Sequence, residues 1–205
     1  MVPEYLQKTY DTFKNTIFER LNEFSNVKKD KYFYEFCFCI LTPQSSAKKA
    51  MMVQHELENK DFFHTRFNPV DILGNKEHYI RFHNVKAQRL LKAIDFYPIL
   101  CDILERPISS HEKRKLIKDN FVGVSLKESS HFLRNIGYKN LAIIDRHILR
   151  HLKICNVIEE DILPTTDKKY FLIETKFLEF CEKIKVPIDV MDFVFFAHDT
   201  GEVLK

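Results

Sequence analysis

The sequence predicts an all-α fold, and three observations support this prediction. Apolar residues recur at intervals of three and four along the N-terminal segment, at Leu6, Tyr10, Phe13, Ile17, Leu21 and Phe24. The 205 residues include four glycines, whereas all-β folds use glycine freely in turns and bulges. Alternating apolar and polar runs, which are typical of strands, are few.

The first third of the chain divides into three predicted helices. The long N-terminal helix tolerates Pro3 in its first turn and ends before the polar residues 26–31. The almost continuously apolar run 32–41 predicts a buried helix that ends before Pro43. A third helix is expected to begin near residues 44–46.

The middle of the chain is less regular. A short helix is expected at residues 69–73, and helical material at residues 85–104 is expected to be interrupted at Pro98. The spacing Ser109-x-x-Glu112 resembles a capping box and predicts the start of a helix that runs to about residue 120. Its basic residues Lys113, Arg114 and Lys115 are expected on a solvent face.

The last third gives four further helices. Residues 127–136 predict a helix that Gly137 ends at its C′ position. Asp145 is expected to cap a helix over residues 146–153. Two more helices fit residues 167–184 and 189–197.

Composition and charge restrict the possible classes of protein. No apolar run reaches the 18 residues that a membrane span needs, and the N-terminus lacks the basic and apolar regions of a signal peptide. The net charge of +3 permits binding to nucleic acid but does not predict it. Five cysteines, an odd number without framework spacing, indicate a reducing cytoplasm, and we expect all five to be core thiols.

A glycine hairpin between two helices is the first candidate functional motif. In the stretch Phe121-Val122-Gly123-Val124-Ser125, glycine permits a backbone conformation that other residues avoid, and the apolar neighbours fix the turn. The amides of residues 124–127 at the start of the next helix can hold a DNA phosphate. An ordinary helix–loop–helix turn explains the hairpin alone equally well.

Two further residues favour a chemical function. Lys127 lies in the first turn of the helix after the hairpin, where the positive end of the helix dipole favours the neutral amine that a nucleophile requires. Asp145 follows the apolar run 141–144, which indicates a buried approach to a capping carboxylate. Taken singly, a first-turn lysine and a capping aspartate are both common structural features.

Their combination resembles the helix–hairpin–helix DNA glycosylase superfamily. The pattern is Gly-x-x-x-Lys, an interval of eighteen residues, and then Asp-x-His-Ile; Ser125 stands where the superfamily usually has a second glycine. Residues 37–42, 127–138, 141–149 and 200–205 resemble the archaeal-type (type 2) 8-oxoguanine DNA glycosylase/AP lyase family. The endonuclease III branch carries a four-cysteine iron–sulfur loop, and the two cysteines after Asp145 are too few for it.

The resemblance implies an organisation and a reaction. It implies a helical lobe of residues 1–34 plus 150–205, a central lobe of residues 35–149 with the helix–hairpin–helix at about 111–137, and an active site in the cleft between the lobes. It implies base-excision repair by a bifunctional enzyme. The resemblance implies that Lys127 is the nucleophile that removes 8-oxoguanine and forms a Schiff base, through which the strand is nicked by β-elimination. It implies that Asp145 is the essential acid.

The resemblance also implies residues that contact DNA and the lesion. Gly123, Val124 and Ser125 are expected to contact the DNA backbone. Phe82 and Gln44 are expected to fill the gap left by a flipped base, although a core phenylalanine and a helix-terminal glutamine are equally ordinary. For base recognition, the resemblance implies the α-carboxylate of Lys205, and Phe196 stands where the family commonly has tryptophan.

The remaining expectations concern cofactors, partners and alternatives. We expect no required cofactor, no metal site and at most a monovalent cation at the hairpin. His131 is expected to be structural or to line the pocket, and His147 is expected to pack beside the site. The expected partner is double-stranded DNA containing an oxidised guanine, bound by a cytoplasmic, nucleoid-associated monomer with no membrane contact. The alternatives are an endonuclease III-like glycosylase for other oxidised bases and a non-catalytic helix–hairpin–helix DNA-binding module.

Overall fold

The all-α prediction is confirmed by the computed structural model, which describes residues 1–205 and contains no strand. Eleven α-helices follow in chain order: α1 Glu4–Ser25, α2 Tyr32–Leu41, α3 Ala47–Asn59, α4 Phe62–Thr65, α5 Val70–Gly74, α6 His83–Glu105, α7 Ser110–Asn120, α8 Leu126–Asn135, α9 Arg146–Ile154, α10 Asp167–Ile184 and α11 Ile188–Thr200. None of these helices is long and apolar enough to cross a membrane.

Local sequence signals placed most helix ends correctly. The apolar run 32–41 forms α2, whose residues are buried from Phe33 onward. Ser109 and Glu112 form the predicted capping box: the Ser109 hydroxyl accepts from the Glu112 N–H, and the Glu112 carboxylate accepts from the Ser109 N–H. Pro187 precedes α11 as its N-cap residue. These signals act within one turn, so the rest of the fold does not override them.

The predicted interruption at Pro98 is wrong, because α6 runs without a break from His83 to Glu105. A proline inside a helix leaves the carbonyl four residues earlier without its usual donor. Pro98 itself lies on the exposed side of α6. Buried contacts on both sides of it, including Ile94 and Leu100, hold the two halves in one helix.

The chain forms two compact units, which differ in their bounds from the predicted lobes. The terminal unit comprises residues 1–26, 133–203 and 205, and the central unit comprises residues 27–132 and 204. Residues 133–149 therefore belong with the chain termini rather than with the central segment. The reason is their bonding to α10 and α11, which local sequence patterns do not reveal.

In the terminal unit, α11 lies at the centre and packs against α1, α9 and α10. Its Phe193 stacks on Phe24 of α1, with ring centroids 6.2 Å apart. Its Phe195 lies between Phe177 of α10 and His151 of α9, at 5.6 and 4.8 Å. This aromatic core fixes the position of α9.

In the central unit, α2 packs against α3 and α6, and α6 packs against α5 and α7. Phe36 of α2 contacts Phe121 at 4.8 Å and Phe132 at 5.1 Å, both edge to face. The Phe36 ring therefore packs the hairpin and α8 against the same core.

Two expectations about individual side chains are wrong. Lys113 and Arg114 are buried instead of lying on a solvent face, and only Lys115 of the three is exposed. The Lys113 amine donates to the Leu104 carbonyl, and the Arg114 guanidinium donates to Ser130 Oγ at 3.1 Å. All five cysteines are free, but Cys101 and Cys155 are only half-buried.

Gly137 offers a test of the predicted C′ glycine. Its φ is +94°, and a Cβ at this position would lie 3.0 Å from the Ser25 Cα and 3.2 Å from the Phe24 carbonyl oxygen. Gly201 ends α11 with φ +75°, but a Cβ there would meet no atom within 4 Å. We expect Gly137→Ala to destabilise the fold by about 2 kcal/mol and Gly201→Ala by about 1 kcal/mol. Urea denaturation measures both, and equal losses would contradict the argument from the close backbone contact.

Candidate functional site

The hairpin between α7 and α8 is closed by one backbone bond and one glycine. The Val124 N–H donates to the Phe121 carbonyl at 3.1 Å, and Gly123 adopts φ +83°. Phe121 and Val124 are buried, whereas Val122 is 75% exposed at the tip. The predicted turn is therefore present, with its apolar flanks in the core and its tip in solvent.

Ser125, the residue in place of the second glycine, takes part in a polar cap at the start of α8. Its N–H donates to Glu128 Oε2 at 3.1 Å, and its hydroxyl donates to the same oxygen. The Lys127 N–H donates to Ser125 Oγ at 3.2 Å. Of the four amides predicted to hold phosphate, those of Val124, Ser125 and Lys127 thus already have acceptors within the turn.

Lys127 is paired with the carboxylate of this cap. Its Nζ lies 2.8 Å from Glu128 Oε1, and its side chain is 27% exposed while that of Glu128 is 6% exposed. Burial raises the pKa of Glu128, but the charge and hydrogen bonds of Lys127 and Ser125 outweigh burial and hold that pKa below its usual range. Glu128 is a site residue that the sequence analysis missed, although Ser125-x-x-Glu128 has the spacing of a capping box.

Gln44 and Phe82 lie on two turns that one side chain joins. Ser45, beside Gln44, accepts through Oγ from the N–H of Arg81, the residue before Phe82, at 3.0 Å. Both Gln44 and Phe82 have positive φ, +56° and +60°, and both are exposed. Phe82 is therefore not the core phenylalanine that the sequence left open as an alternative.

Lys86 of α6 donates hydrogen bonds to the turn that carries Gln44, which Ser45 joins to the turn that carries Phe82. Its amine donates to the carbonyls of Leu41 and Pro43 at 2.6 and 2.7 Å and to Ser45 Oγ at 3.2 Å. Lys86 is 1% exposed, and burial together with the charges of Arg89 and Lys127 lowers its pKa to about 8. No sequence pattern identifies such a lysine, because a charged residue is expected at the surface.

Asp145 lies in the terminal unit at the end of a buried, extended segment. The Ala142 N–H donates to Glu174 Oε1 at 2.9 Å, and the Tyr170 hydroxyl donates to the Ala142 carbonyl at 2.7 Å. The Asp145 Oδ1 accepts from the N–H groups of His147 and Ile148 at 2.8 and 3.0 Å. The predicted cap is confirmed, and α10 side chains satisfy the segment that leads to it.

The side chains beside Asp145 form a polar network. His147 Nδ1 lies 2.6 Å from Asp199 Oδ2, and its ring is 5.4 Å from that of Phe196, edge to face. His151 Nε2 lies 3.2 Å from Asp199 Oδ1. Phe196 is half-buried, and Lys205 is partly exposed beyond the end of α11. No group of three or more histidine, cysteine, aspartate or glutamate side chains could hold a metal ion.

The candidate residues divide between the two units. Lys127, the hairpin, Gln44 and Phe82 belong to the central unit, and Asp145 and Phe196 belong to the terminal unit with the side chains that position them. Bonds between distant segments hold the turns of Gln44 and Phe82 and the segment before Asp145. Lys127 is held by its neighbour Glu128.

Asp192 of α11 is a buried carboxylate in the same unit as Asp145. Its Oδ1 accepts from Arg134 Nη1 at 2.9 Å, while its Oδ2 is buried without a hydrogen-bond partner. Burial raises the pKa of Asp192 to about 7. The negative charges of Asp145 and Asp189 also raise this pKa, whereas the positive charge of Arg134 lowers it. Sequence analysis gave no signal for this residue.

The raised pKa of Asp192 predicts how stability depends on pH. A carboxyl of ordinary pKa in the unfolded chain binds fewer protons than the folded form between about pH 4 and 7, so this group reduces stability as pH rises through that window. Asp192→Asn, which cannot ionise, is expected to gain stability relative to the parent chain between pH 5 and 7. Denaturation at several pH values measures this, and a constant difference would contradict it.

A glycine hairpin, a first-turn lysine and a capping aspartate in an all-helical chain define a protein of the helix–hairpin–helix DNA glycosylase class. A family model described as 8-oxoguanine DNA glycosylase matches residues 17–186. The chain belongs to the 8-oxoguanine DNA glycosylase family.

Individual relatives agree with this assignment. The chain is 36% identical to the 8-oxoguanine DNA glycosylase/AP lyase of Fusobacterium nucleatum, over 98% of this chain and 96% of the relative. It is 34% identical to that of Methanocaldococcus jannaschii, over 94% and 93%. A crystal structure of the M. jannaschii 8-oxoguanine glycosylase/lyase in complex with a 15mer DNA containing 8-oxoguanine matches with a TM-score of 0.83 and 32% identity, covering 97% of this chain and 98% of that chain.

Proposed function

We infer that this chain is a bifunctional DNA repair enzyme that excises 8-oxoguanine from double-stranded DNA and nicks the strand as an AP lyase. The names and DNA complex of its relatives support this substrate. The observation in the chain itself that carries the proposal is Lys127, a partly exposed amine in the first turn of α8 directly after a glycine hairpin.

In the proposed reaction, the Lys127 amine forms a bond to C1′ of the flipped nucleotide as the bond to the base breaks. The ammonium must lose a proton before it attacks, and the departing base takes up a proton. The Glu128 carboxylate, 2.8 Å from the Lys127 Nζ, holds the amine in position. The resulting Schiff base permits β-elimination, which breaks the strand 3′ to the lesion. Asp145 stabilises positive charge on the sugar, because its helix holds it as a fixed capping carboxylate.

We propose contact roles for the other candidate residues. Phe82 and Gln44 occupy the space left by the extruded base, since both are exposed on adjacent constrained turns. The hairpin at Gly123 to Ser125 contacts the DNA backbone. Phe196 stacks on the lesion, and the α-carboxylate of Lys205 accepts the N7–H that distinguishes 8-oxoguanine from guanine.

The proposal requires no cofactor, because nucleophile and acid are both side chains. A monovalent cation at the hairpin carbonyls is part of the proposal as a backbone contact and takes no part in the chemistry. We further propose that the enzyme acts as a monomer in the cytoplasm, where the nucleoid DNA is accessible.

Borohydride trapping on a duplex that contains 8-oxoguanine tests the proposed function. The expected result is a covalent protein–DNA adduct together with a nicked strand. A duplex with an oxidised pyrimidine and an undamaged duplex are the comparisons. Faster reaction with the oxidised pyrimidine would favour an endonuclease III-like specificity, and binding without any adduct on lesion or abasic DNA would indicate a non-catalytic binding module.

A further inference from the structure

The start of α8 offers few free backbone donors to a phosphate. The N–H groups of Val124, Ser125 and Lys127 are engaged within the turn, two of them in the Ser125–Glu128 cap. The acceptor for Ser125 is the carboxylate of Glu128, whose pKa lies below its usual range. A phosphate that approached this amide would have to displace a negative charge.

Arg89 of α6 lies against the same turn. A Cβ built on Gly123 would overlap Cζ, Nε and Nη1 of Arg89 together, so the guanidinium lies with its face on the glycine. The missing side chain of Gly123 therefore makes room for this group as well as permitting φ +83°. A guanidinium stacked by its face keeps its N–H edges directed away from the surface beneath it.

The Arg89 guanidinium makes no hydrogen bond and no ion pair within the chain, and its side chain is only partly buried. Most other arginines have such partners, for example Arg66 with Asp95 and Arg106 with Asp102. The positive charge of Arg89 contributes to the lowered pKa of buried Lys86. A permanently charged, unpaired fork of donors matches the geometry of a phosphate.

We propose that Arg89 is the cationic phosphate contact of the hairpin and binds the DNA backbone beside Gly123 with its free guanidinium edge. Arg89 supplies donors and positive charge at a turn where the amides of Ser125 and Lys127 already donate to the Ser125–Glu128 cap. This contact rests on the proposed function, since it assumes that DNA lies on the hairpin. It reads no base and positions the duplex for Lys127.

The salt dependence of binding tests this role. Arg89→Gln keeps a planar group on Gly123 but removes the charge, Arg89→Lys restores the charge without the fork, and Lys92→Gln removes an exposed charge on the same helix as a matched control. Each protein is titrated with a duplex that carries a tetrahydrofuran abasic analogue and with the undamaged duplex, between 50 and 200 mM salt. Urea denaturation checks that the fold is retained.

The expected result is a slope of log affinity against log salt that is smaller by about 0.9 for Arg89→Gln on both duplexes. Between 50 and 200 mM salt, the affinity of Arg89→Gln therefore falls by a factor about 3.5-fold smaller than that of the parent chain. Arg89→Lys should recover most of the slope, and Lys92→Gln should leave it unchanged. A slope for Arg89→Gln equal to that of the parent chain overturns the proposal, because a merely structural arginine would not alter it. Failure of the proposed function is a separate outcome, seen as absent excision by a parent chain that binds DNA.

Discussion

Replacing Lys127 with glutamine is expected to abolish the borohydride-trapped adduct and to reduce strand nicking by roughly 10³-fold or more, the scale of loss when a nucleophile is removed. Glutamine cannot form a Schiff base, but its amide can still donate to Glu128 Oε1, which lies 2.8 Å from the lysine Nζ in the parent chain. The cap at the start of α8 should therefore persist. Gel analysis of a duplex with a preformed abasic site measures both adduct and nick.

The control for this prediction is Lys115→Gln, which removes an exposed lysine of α7 and should trap DNA normally. An adduct that persisted in Lys127→Gln would show that another amine is the nucleophile. Lys86 would then be the first residue to examine, because its pKa is lowered to about 8. Lys86 is 1% exposed and its amine donates to two carbonyls and a hydroxyl, so we expect it to take no part.

Replacing Asp145 with asparagine is expected to slow 8-oxoguanine excision by roughly 10²–10³-fold, the usual cost of removing one group that stabilises transition-state charge. The asparagine Oδ1 can still accept from the N–H groups of His147 and Ile148, so the cap of α9 remains. Asparagine caps helices about as well as aspartate does. The fold should therefore be nearly as stable, and single-turnover excision isolates the effect of the charge.

Asp145→Ala separates the two roles of this residue. It removes the cap as well as the charge, and we expect it to lose about 1 kcal/mol of stability in addition to activity. Denaturation and single-turnover rates should thus distinguish the two variants. Asp145→Asn and Asp145→Ala should both excise the base slowly, and only Asp145→Ala should be less stable than the parent chain. If Asp145→Asn excised the base as fast as the parent chain, Asp145 would be a capping residue alone.

The helices were predictable because their signals are local. The capping box Ser109–Glu112, the cap at Asp145 and the C′ glycine at Gly137 all act through bonds between residues a few positions apart. The failures have other physical reasons. Pro98 continues a helix because buried contacts on either side of it outweigh one lost bond. The four-residue α4 has no periodic pattern long enough to detect.

The candidate site was predictable only in part. Gly123, Lys127 and Asp145 stand out because backbone conformation and helix ends restrict the residue type at each place. The spacing Ser125-x-x-Glu128 carries a signal for Glu128, but the superfamily pattern usually has glycine at position 125, and glycine makes no side-chain cap. The burial of Lys113 and Arg114 could not be predicted, because their acceptors lie in other helices. The acceptor of Lys113 is in α6 and that of Arg114 is in α8.

By itself, the sequence determined the helices, the hairpin, the first-turn lysine and the capping aspartate of this protein. The tertiary structure alone decided which distant side chains support them: Lys86 beneath the turns of Gln44 and Phe82, Arg89 on Gly123, and Asp192 in the same unit as Asp145. The reason is the range of the forces involved. Helix capping and glycine conformations depend on neighbours in the chain, whereas the position of a charged side chain depends on partners that only the folded chain brings near.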